Sequence, residues 1–169
     1  MKTRKHAGFS LIELLIVVTV IGIVAAIAIP NLLASRRAAN EGSALSSMRV
    51  IFSSEVNYQV TAGAGQFGTL ADLRTLAYID QVLGAATIAG PGTPKSGYLF
   101  SAASVTVAGL PAFDAKAQAS IHSGGNPVTA TGSRAFYTNE SGVVYFNTTA
   151  TAPTCTATTV RTVTGTVLN

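Results

Sequence analysis

The feature that most restricts how this chain can fold is an apolar stretch from Phe9 to Ile29, which one carboxylate, Glu13, interrupts. At about 1.5 Å per helical residue, its 21 residues match the roughly 30 Å hydrocarbon core of a bilayer. Basic residues precede this stretch and Pro30 follows it. The positive-inside rule keeps such an N-terminus cytoplasmic and places the residues after Pro30 on the outer side. The sequence therefore predicts one membrane-spanning helix followed by an exported domain.

The positive charge of the chain belongs mostly to this N-terminal region. The net charge is +4, and Lys2, Arg4 and Lys5 all precede Gly8. Without these three residues, eight basic residues face seven acidic ones, a net charge of +1. Charged residues make up only 11% of the chain, against about 25% in ordinary soluble domains. We infer that the charge serves membrane targeting, and no basic patch indicates a nucleic-acid site.

Glu13 is the unusual residue of the apolar stretch. A carboxylate inside a membrane helix costs about 2.5 kcal/mol or more, and such residues usually have a functional partner. Glu13 lies four residues after Phe9, one helical turn away. A cut between Gly8 and Phe9 would create an ammonium group that could neutralise Glu13 in the same chain or in a neighbour. The second arrangement would set the axial register of stacked subunits.

Two other interpretations of the segment remain open at this point. Ala26-Ile27-Ala28 resembles the cleavage site of an ordinary secretory signal, although the apolar run is longer than usual for one and contains a carboxylate. An uncleaved membrane anchor with Glu13 near the interface is the second interpretation.

The residues from Gly8 to Val18, GFSLIELLIVV, closely resemble the class III signal of type IV prepilins and the related pseudopilins, and the similarity continues from Ile23 to Asn31. The resemblance implies that a prepilin peptidase cuts after Gly8 and then N-methylates Phe9. It implies that Glu13, paired with the Phe9 amine, is the assembly carboxylate. It also implies that Pro30 bends the helix.

The same resemblance implies the location and the partners of the chain. A precursor would lie in the inner membrane, where prepilin peptidase and the assembly machinery act on it. The processed chain would then polymerise with its own copies into a helical filament, an extracellular pilus on the cell surface. The expected function is structural, with no enzymatic activity.

The helix is expected to continue to about Val60 and to pack a domain against its second half. Four residues recur at spacings of three and four and form an apolar stripe, which we interpret as the face that holds a sheet: Leu45, Met48, Phe52 and Val56. Pro30 predicts a kink. Gly22 could mark a second weak point at which the helix melts, or a small residue for close helix packing.

The remaining pattern predicts an α+β fold, with the long helix packed against a small antiparallel sheet. Thr69 and Asp72 have the spacing of a helix N-terminus, and alternation with a period of two begins near Tyr98. We expect six segments: a leader at 1–8, a transmembrane and filament-core helix at 9–29, an amphipathic helix at 30–62, a loop with a short helix at 63–97, an antiparallel sheet at 98–147 and a Thr-rich C-terminal segment at 148–169.

Residues that could carry catalysis are isolated in this sequence. His122 lies in a Gly-rich loop, and Cys155 is the single cysteine, which excludes an intrachain disulfide. No spacing indicates a metal site or a cofactor. Sparse aromatic residues in the helix argue against a continuous stack of rings for electron conduction.

Two alternatives remain within the same class of proteins, a pseudopilin of a type II secretion system and a minor pilin. Major pseudopilins usually have an acidic calcium-binding loop and a tryptophan near the C-terminus. This chain has no Asp or Glu after Glu140 and no Trp, which favours the pilus. The Thr-rich tail could be an exposed strand, ordered coil or a glycan-bearing surface, and Asn139 and Asn147 fit the N-glycosylation pattern.

Overall fold

The computed structural model describes residues 9–121, 130–156 and 162–168. The chain divides into two compact units, residues 1–35 and 36–169, which are considered separately. The helices are α1 (Leu11–Val60), α2 (Leu70–Thr75) and α3 (Gln81–Ala85). The strands are β1 (Tyr98–Val107), β2 (Leu110–Ala119), β3 (Ala135–Asn139), β4 (Val144–Asn147), β5 (Cys155–Thr156), β6 (Thr162–Val163) and β7 (Thr166–Val167).

Helix α1 runs for 50 residues and ends where the sequence predicts. Its stop is encoded by the Thr61–Gly65 segment, in which Ala64 and Gly65 take the left-handed φ values 49° and 89°. The amide of Gly63 donates to the Tyr58 carbonyl at 2.8 Å. A Cβ at Gly63 would lie 2.1 Å from the Gln66 carbonyl oxygen, so only glycine fits there.

The two short helices begin at side-chain caps, as the sequence predicts for the first of them. Thr69 and Asp72 form a reciprocal capping box at the start of α2. At the start of α3, the Asp80 side chain accepts a hydrogen bond from the Leu83 amide. These caps fix the connection between α1 and the sheet.

The five-stranded sheet has the order β1-β2-β3-β4-β7, and all its neighbours are antiparallel. The two-residue turn of the β1–β2 hairpin, Ala108-Gly109, has positive φ at both positions, as a type I′ turn requires. The predicted hairpin around Asn139–Gly142 joins β3 to β4. These pairings, with the long helix, confirm the predicted α+β fold.

The Thr-rich tail contributes strands within its described residues. Strands β5 and β6 pair as a separate two-stranded sheet, and β7 joins the main sheet beside β4. Backbone hydrogen bonds therefore hold the described parts of the tail in these two sheets.

The core of the second unit lies between α1 and the sheet. Its largest fully buried side chains include Met48 and Ile51 from the helix and Tyr98, Phe100 and Phe113 from the sheet. Short helix α2 contributes buried leucines to the same cluster.

Candidate functional site: helix α1

The described part of the first unit begins at Phe9, and Gly8 lies outside the described residues. Ser10 opens the helix, because its carbonyl accepts a hydrogen bond from the Leu14 amide at 3.2 Å. Glu13 lies in the first turn of α1, where the helix dipole favours a negative charge. The helix geometry thus places the carboxyl group about one turn, roughly 5–6 Å along the axis, from Phe9.

Helix α1 exposes apolar side chains all around its axis in the described part of this unit. Each large apolar side chain from Phe9 to Leu32 is exposed, at 45% or more. The most hydrophobic 18-residue window of α1 has a mean hydropathy of 2.9, and none of it is buried. A water-exposed helix normally has a polar face, so this surface needs lipid or other apolar helices around it.

The predicted weak points Gly22 and Pro30 lie within continuous helix. Pro30 removes one backbone hydrogen bond of the ladder because it has no amide proton. A Cβ at Gly22 would meet no atom within 4 Å, so packing inside this chain does not require glycine there. Bending or melting at these positions stays a prediction.

In the second unit, the face of α1 that packs on the sheet differs from the predicted stripe. Met48 is fully buried and Phe52 packs beside the Phe113 ring, at 6.2 Å between centroids. Leu45 is only partly buried and Val56 is 42% exposed. The buried residues of α1 are Ala44, Ser47, Met48, Ile51, Ser54 and Glu55. Small residues lie on the packing face because they let the helix approach the sheet closely. A search for regularly spaced large apolar residues does not detect them.

Glu55 is the one ionisable residue on the buried face of α1. Its side chain is fully buried, and Oε2 accepts a hydrogen bond from the Gly68 amide at 2.9 Å. Oε1 has no hydrogen-bond partner among the described residues. Burial raises the pKa of Glu55 to about 7, the Gly68 hydrogen bond opposes that shift, and the nearby Asp72 adds to it. Burial, which exists only in the folded chain, therefore makes this carboxyl group unusual.

Polar contacts fasten α1 to the segment before β3. The Asn40 Nδ2 donates to the Thr131 carbonyl at 2.8 Å, and the amide and hydroxyl of Ser133 both donate to Glu41 Oε1. The Arg134 guanidinium lies 3.9 Å from Glu41 Oε2 and 4.9 Å from the centre of the Phe146 ring. Glu41 therefore acts as a structural anchor of the helix.

A shallow groove of about 330 Å³ lies beside this anchor, lined in part by Leu45, Phe136 and Leu168. Within the described ranges, no group of three or more His, Cys, Asp or Glu side chains could hold a metal ion. His122 lies outside those ranges. Of the two N-glycosylation candidates, Asn139 is 3% exposed, and its side-chain oxygen accepts hydrogen bonds from Ser141. Its burial argues against a glycan there.

Comparison with known proteins locates a family motif at this helix. The family model of the prokaryotic N-terminal methylation motif matches residues 3–29. The matched residues contain most of the exposed apolar surface, the first turn with Glu13 and the Gly8–Phe9 junction.

Two curated relatives are pilins. The type IV wide pilus major component PilA4 of Thermus thermophilus is 60% identical over 38 residues, which are 22% of this chain and 29% of that protein. The type IV major pilin protein PilA of Myxococcus xanthus is 37% identical over 54 residues, 32% of this chain and 24% of that protein. The matches thus span less than a third of either relative, and no solved structure matches the chain. The motif, these relatives and the α+β fold together confirm that this chain resembles the type IV pilins.

Proposed function

We propose that this chain is a structural subunit of a type IV pilus, stored in a membrane and polymerised through α1. One observation carries the proposal: a single 50-residue helix exposes its large apolar side chains from Phe9 to Leu32 and buries residues of its second half in a folded domain. A subunit that must exchange lipid for the helices of its neighbours needs this combination of surfaces.

The membrane is the first environment of the apolar segment in this proposal. Its length matches one bilayer crossing, and the basic residues before it orient the second unit outward. In the filament, the same side chains contact the helices of neighbouring copies. Helix packing replaces lipid contacts without exposing apolar surface to water, so one surface serves both states.

The proposed processing site is the Gly8–Phe9 bond, and the proposed enzyme is a prepilin peptidase, which also methylates the new N-terminus at Phe9. Cleavage places an ammonium group one helical turn from Glu13. Pairing of opposite charges lowers the cost of a carboxylate in apolar surroundings. We propose that the Phe9 amine of one copy pairs with Glu13 of a neighbour and sets the axial register.

Assembly is expected to need a membrane-embedded assembly machinery and to end in an extracellular filament on the cell surface. The second unit would lie outside the helical core as the filament surface.

The experiment that tests the proposal is mass spectrometry of the N-terminal peptide, taken from a sheared cell-surface fraction and, separately, from membranes. A peptide that begins with N-methylated Phe9 in the sheared fraction is the expected result. Recovery only from membranes, with Met1 intact, would mean a static anchor. A start at Ile29 would mean ordinary secretion, and either of these results would overturn the proposal.

A further inference from the structure

The outer edge of β1 is the longest strand edge in the main sheet. β1 pairs with β2 on one side only, over all ten residues. The type I′ turn at Ala108-Gly109 directs the backbone groups of Val107 toward β2. Alternation along the strand then directs those of Thr106, Ser104 and Ala102 away from β2.

Contacts at the start of β1 agree with this alternation. The Phe100 amide donates to the Ala86 carbonyl and its carbonyl accepts from the Ile88 amide, while Tyr98 exchanges two hydrogen bonds with Lys95. The first part of the outer edge is therefore covered by the chain itself. Within the described residues, no hydrogen bond reaches the outward groups of Ala102, Ser104 or Thr106.

This uncovered half of the edge lacks the usual protection against strand pairing. Natural sheets protect their edges with charged residues, proline, bulges or very short strands. From Ser101 to Leu110 the sequence has neither charge nor proline, and the β1–β2 register is regular throughout. The opposite edge of the sheet, β7, is two residues long and is protected by its shortness.

We propose that this edge binds a second copy of the chain, β1 against β1, as an antiparallel pair centred on Ser104. Only this register uses all three outward residues, because Ala102 then lies opposite Thr106 of the partner and Ser104 opposite Ser104. Each of these pairs exchanges two backbone hydrogen bonds. The contact is isologous, with a two-fold axis at Ser104.

Two observations select a copy of the same strand as the occupant. Among the described strands, β5, β6 and β7 have two residues each and could fill only part of the edge. The pairing also places the segment opposite itself, where any charged residue near its centre would face a like charge. The segment has none, so self-pairing meets no electrostatic repulsion.

Site-directed disulfide formation in the full chain, solubilised in detergent, tests the geometry. The Cys155→Ser background leaves position 104 or 103 as the sole thiol site. Antiparallel partners in a hydrogen-bonded pair lie about 5.5 Å apart between Cα atoms, within disulfide range. We expect Ser104→Cys to form covalent dimers at least about tenfold faster than Ala103→Cys, whose Cα atoms would lie beyond about 7 Å. Equal rates, or no dimer at 104, would overturn the proposal.

A charge exchange at the same position identifies the partner. Ser104→Lys and Ser104→Glu should each stay monomeric, while an equimolar mixture of the two should form dimers that dissociate at high salt. Ala103→Lys, one residue away, should dimerise as the parent does. Dimers of Ser104→Lys alone, or failure of the mixture to dimerise, would refute self-pairing.

Raising the detergent concentration separates this contact from association through α1. Excess micelles keep the apolar helices of different copies apart, whereas pairing of β1 edges depends on protein concentration alone. The result therefore does not depend on whether the chain forms a pilus, and the proposed function can fail while the β1 contact stands.

Discussion

The two halves of α1 use the same helical backbone for opposite purposes. From Phe9 to Leu32 every large apolar side chain is exposed, although this is the most hydrophobic part of the chain. From Ala44 to Glu55 the buried face includes two serines and a carboxyl group. Hydrophobicity alone therefore does not tell which half packs within the chain. The packed half is distinguished by a face with both large and small side chains, and the small ones let the sheet approach the helix closely.

The largest expected effect lies in the first half, at its one charged residue. We expect Glu13→Ala to leave processing and the folded second unit intact, and to reduce incorporation into sheared surface filaments by at least about tenfold. In the proposed filament, the variant would leave the Phe9 amine of a neighbouring copy unpaired in apolar surroundings, at a cost of about 2.5 kcal/mol or more. Quantitative immunoblotting of membrane and sheared fractions measures the effect.

Thr19→Ala is the matched control for Glu13→Ala. The Thr19 hydroxyl donates to the Leu15 carbonyl at 2.8 Å, so this polar side chain is satisfied within its own helix. Its removal should leave filament abundance unchanged. Normal filament abundance in Glu13→Ala would refute the proposed role of the carboxylate.

In the second half of α1, we expect burial of a side chain in the core to determine how much its substitution destabilises the fold. Met48→Ala empties a fully buried site and should lower the free energy of unfolding by about 2–5 kcal/mol. Val50→Ala, at a position 44% exposed two residues away, should cost less than about 1 kcal/mol. The chain has no tryptophan, so near-ultraviolet circular dichroism of the buried Tyr98 and Tyr137 can follow denaturant unfolding in detergent. Equal losses for the two variants would contradict the contrast between packed and exposed positions.

The sequence predicts the first half of α1 better than the second. A long apolar run with a single carboxylate and a Gly-Phe junction is rare enough to predict the helix and its family resemblance from local residues. The antiparallel hairpins were also readable, because alternation and turn residues act locally. Of the predicted packing stripe, Met48 is buried and Phe52 packs on the core, whereas Leu45 is only partly buried and Val56 is exposed. The rest of the buried face includes Ala44, Ser47 and Ser54, which carry no strong apolar signal.

Glu55 shows why local patterns cannot reach part of the structure. Its hydrogen-bond donor is the Gly68 amide, thirteen residues away, which reaches the carboxylate only because the chain turns back after α1. The position of β1 at the edge depends on the strand order of the sheet. The sequence of a single strand does not reveal which strands lie beside it. Both features follow from topology.

The buried carboxyl group predicts a pH dependence confined to the second half. Because the pKa of Glu55 rises from 4.5 to about 7 on folding, the folded chain binds its proton more tightly. Stability from this group is therefore greatest below about pH 4.5 and falls as pH rises toward 7. Glu55→Gln has no carboxyl group at this position to titrate. The free energy of unfolding of the variant, relative to that of the parent, should therefore increase by about 2–3 kcal/mol between pH 4 and pH 8.

Denaturant unfolding of both proteins at each pH measures this change. The comparison cancels the titration of groups that the two proteins share, including both histidines. The free energies of unfolding of the two proteins should differ least near pH 4, where the Glu55 carboxyl is protonated in the folded state. A difference that stays constant with pH would show that folding does not raise the pKa of Glu55.

The smallest expected effect lies in the connection between α1 and the sheet. Thr69→Ala removes the capping box of α2, in which the Thr69 hydroxyl accepts from the Asp72 amide and the Asp72 carboxylate accepts from the Thr69 amide. The loss should be about 1 kcal/mol in the free energy of unfolding. Thr75→Ala in the same helix removes an exposed hydroxyl that donates only to the Ala71 carbonyl, and should change stability by less than about 0.5 kcal/mol. If Thr69→Ala cost no more than Thr75→Ala, the position of Gly68 beneath Glu55 would depend on the packing of α2 rather than on its cap.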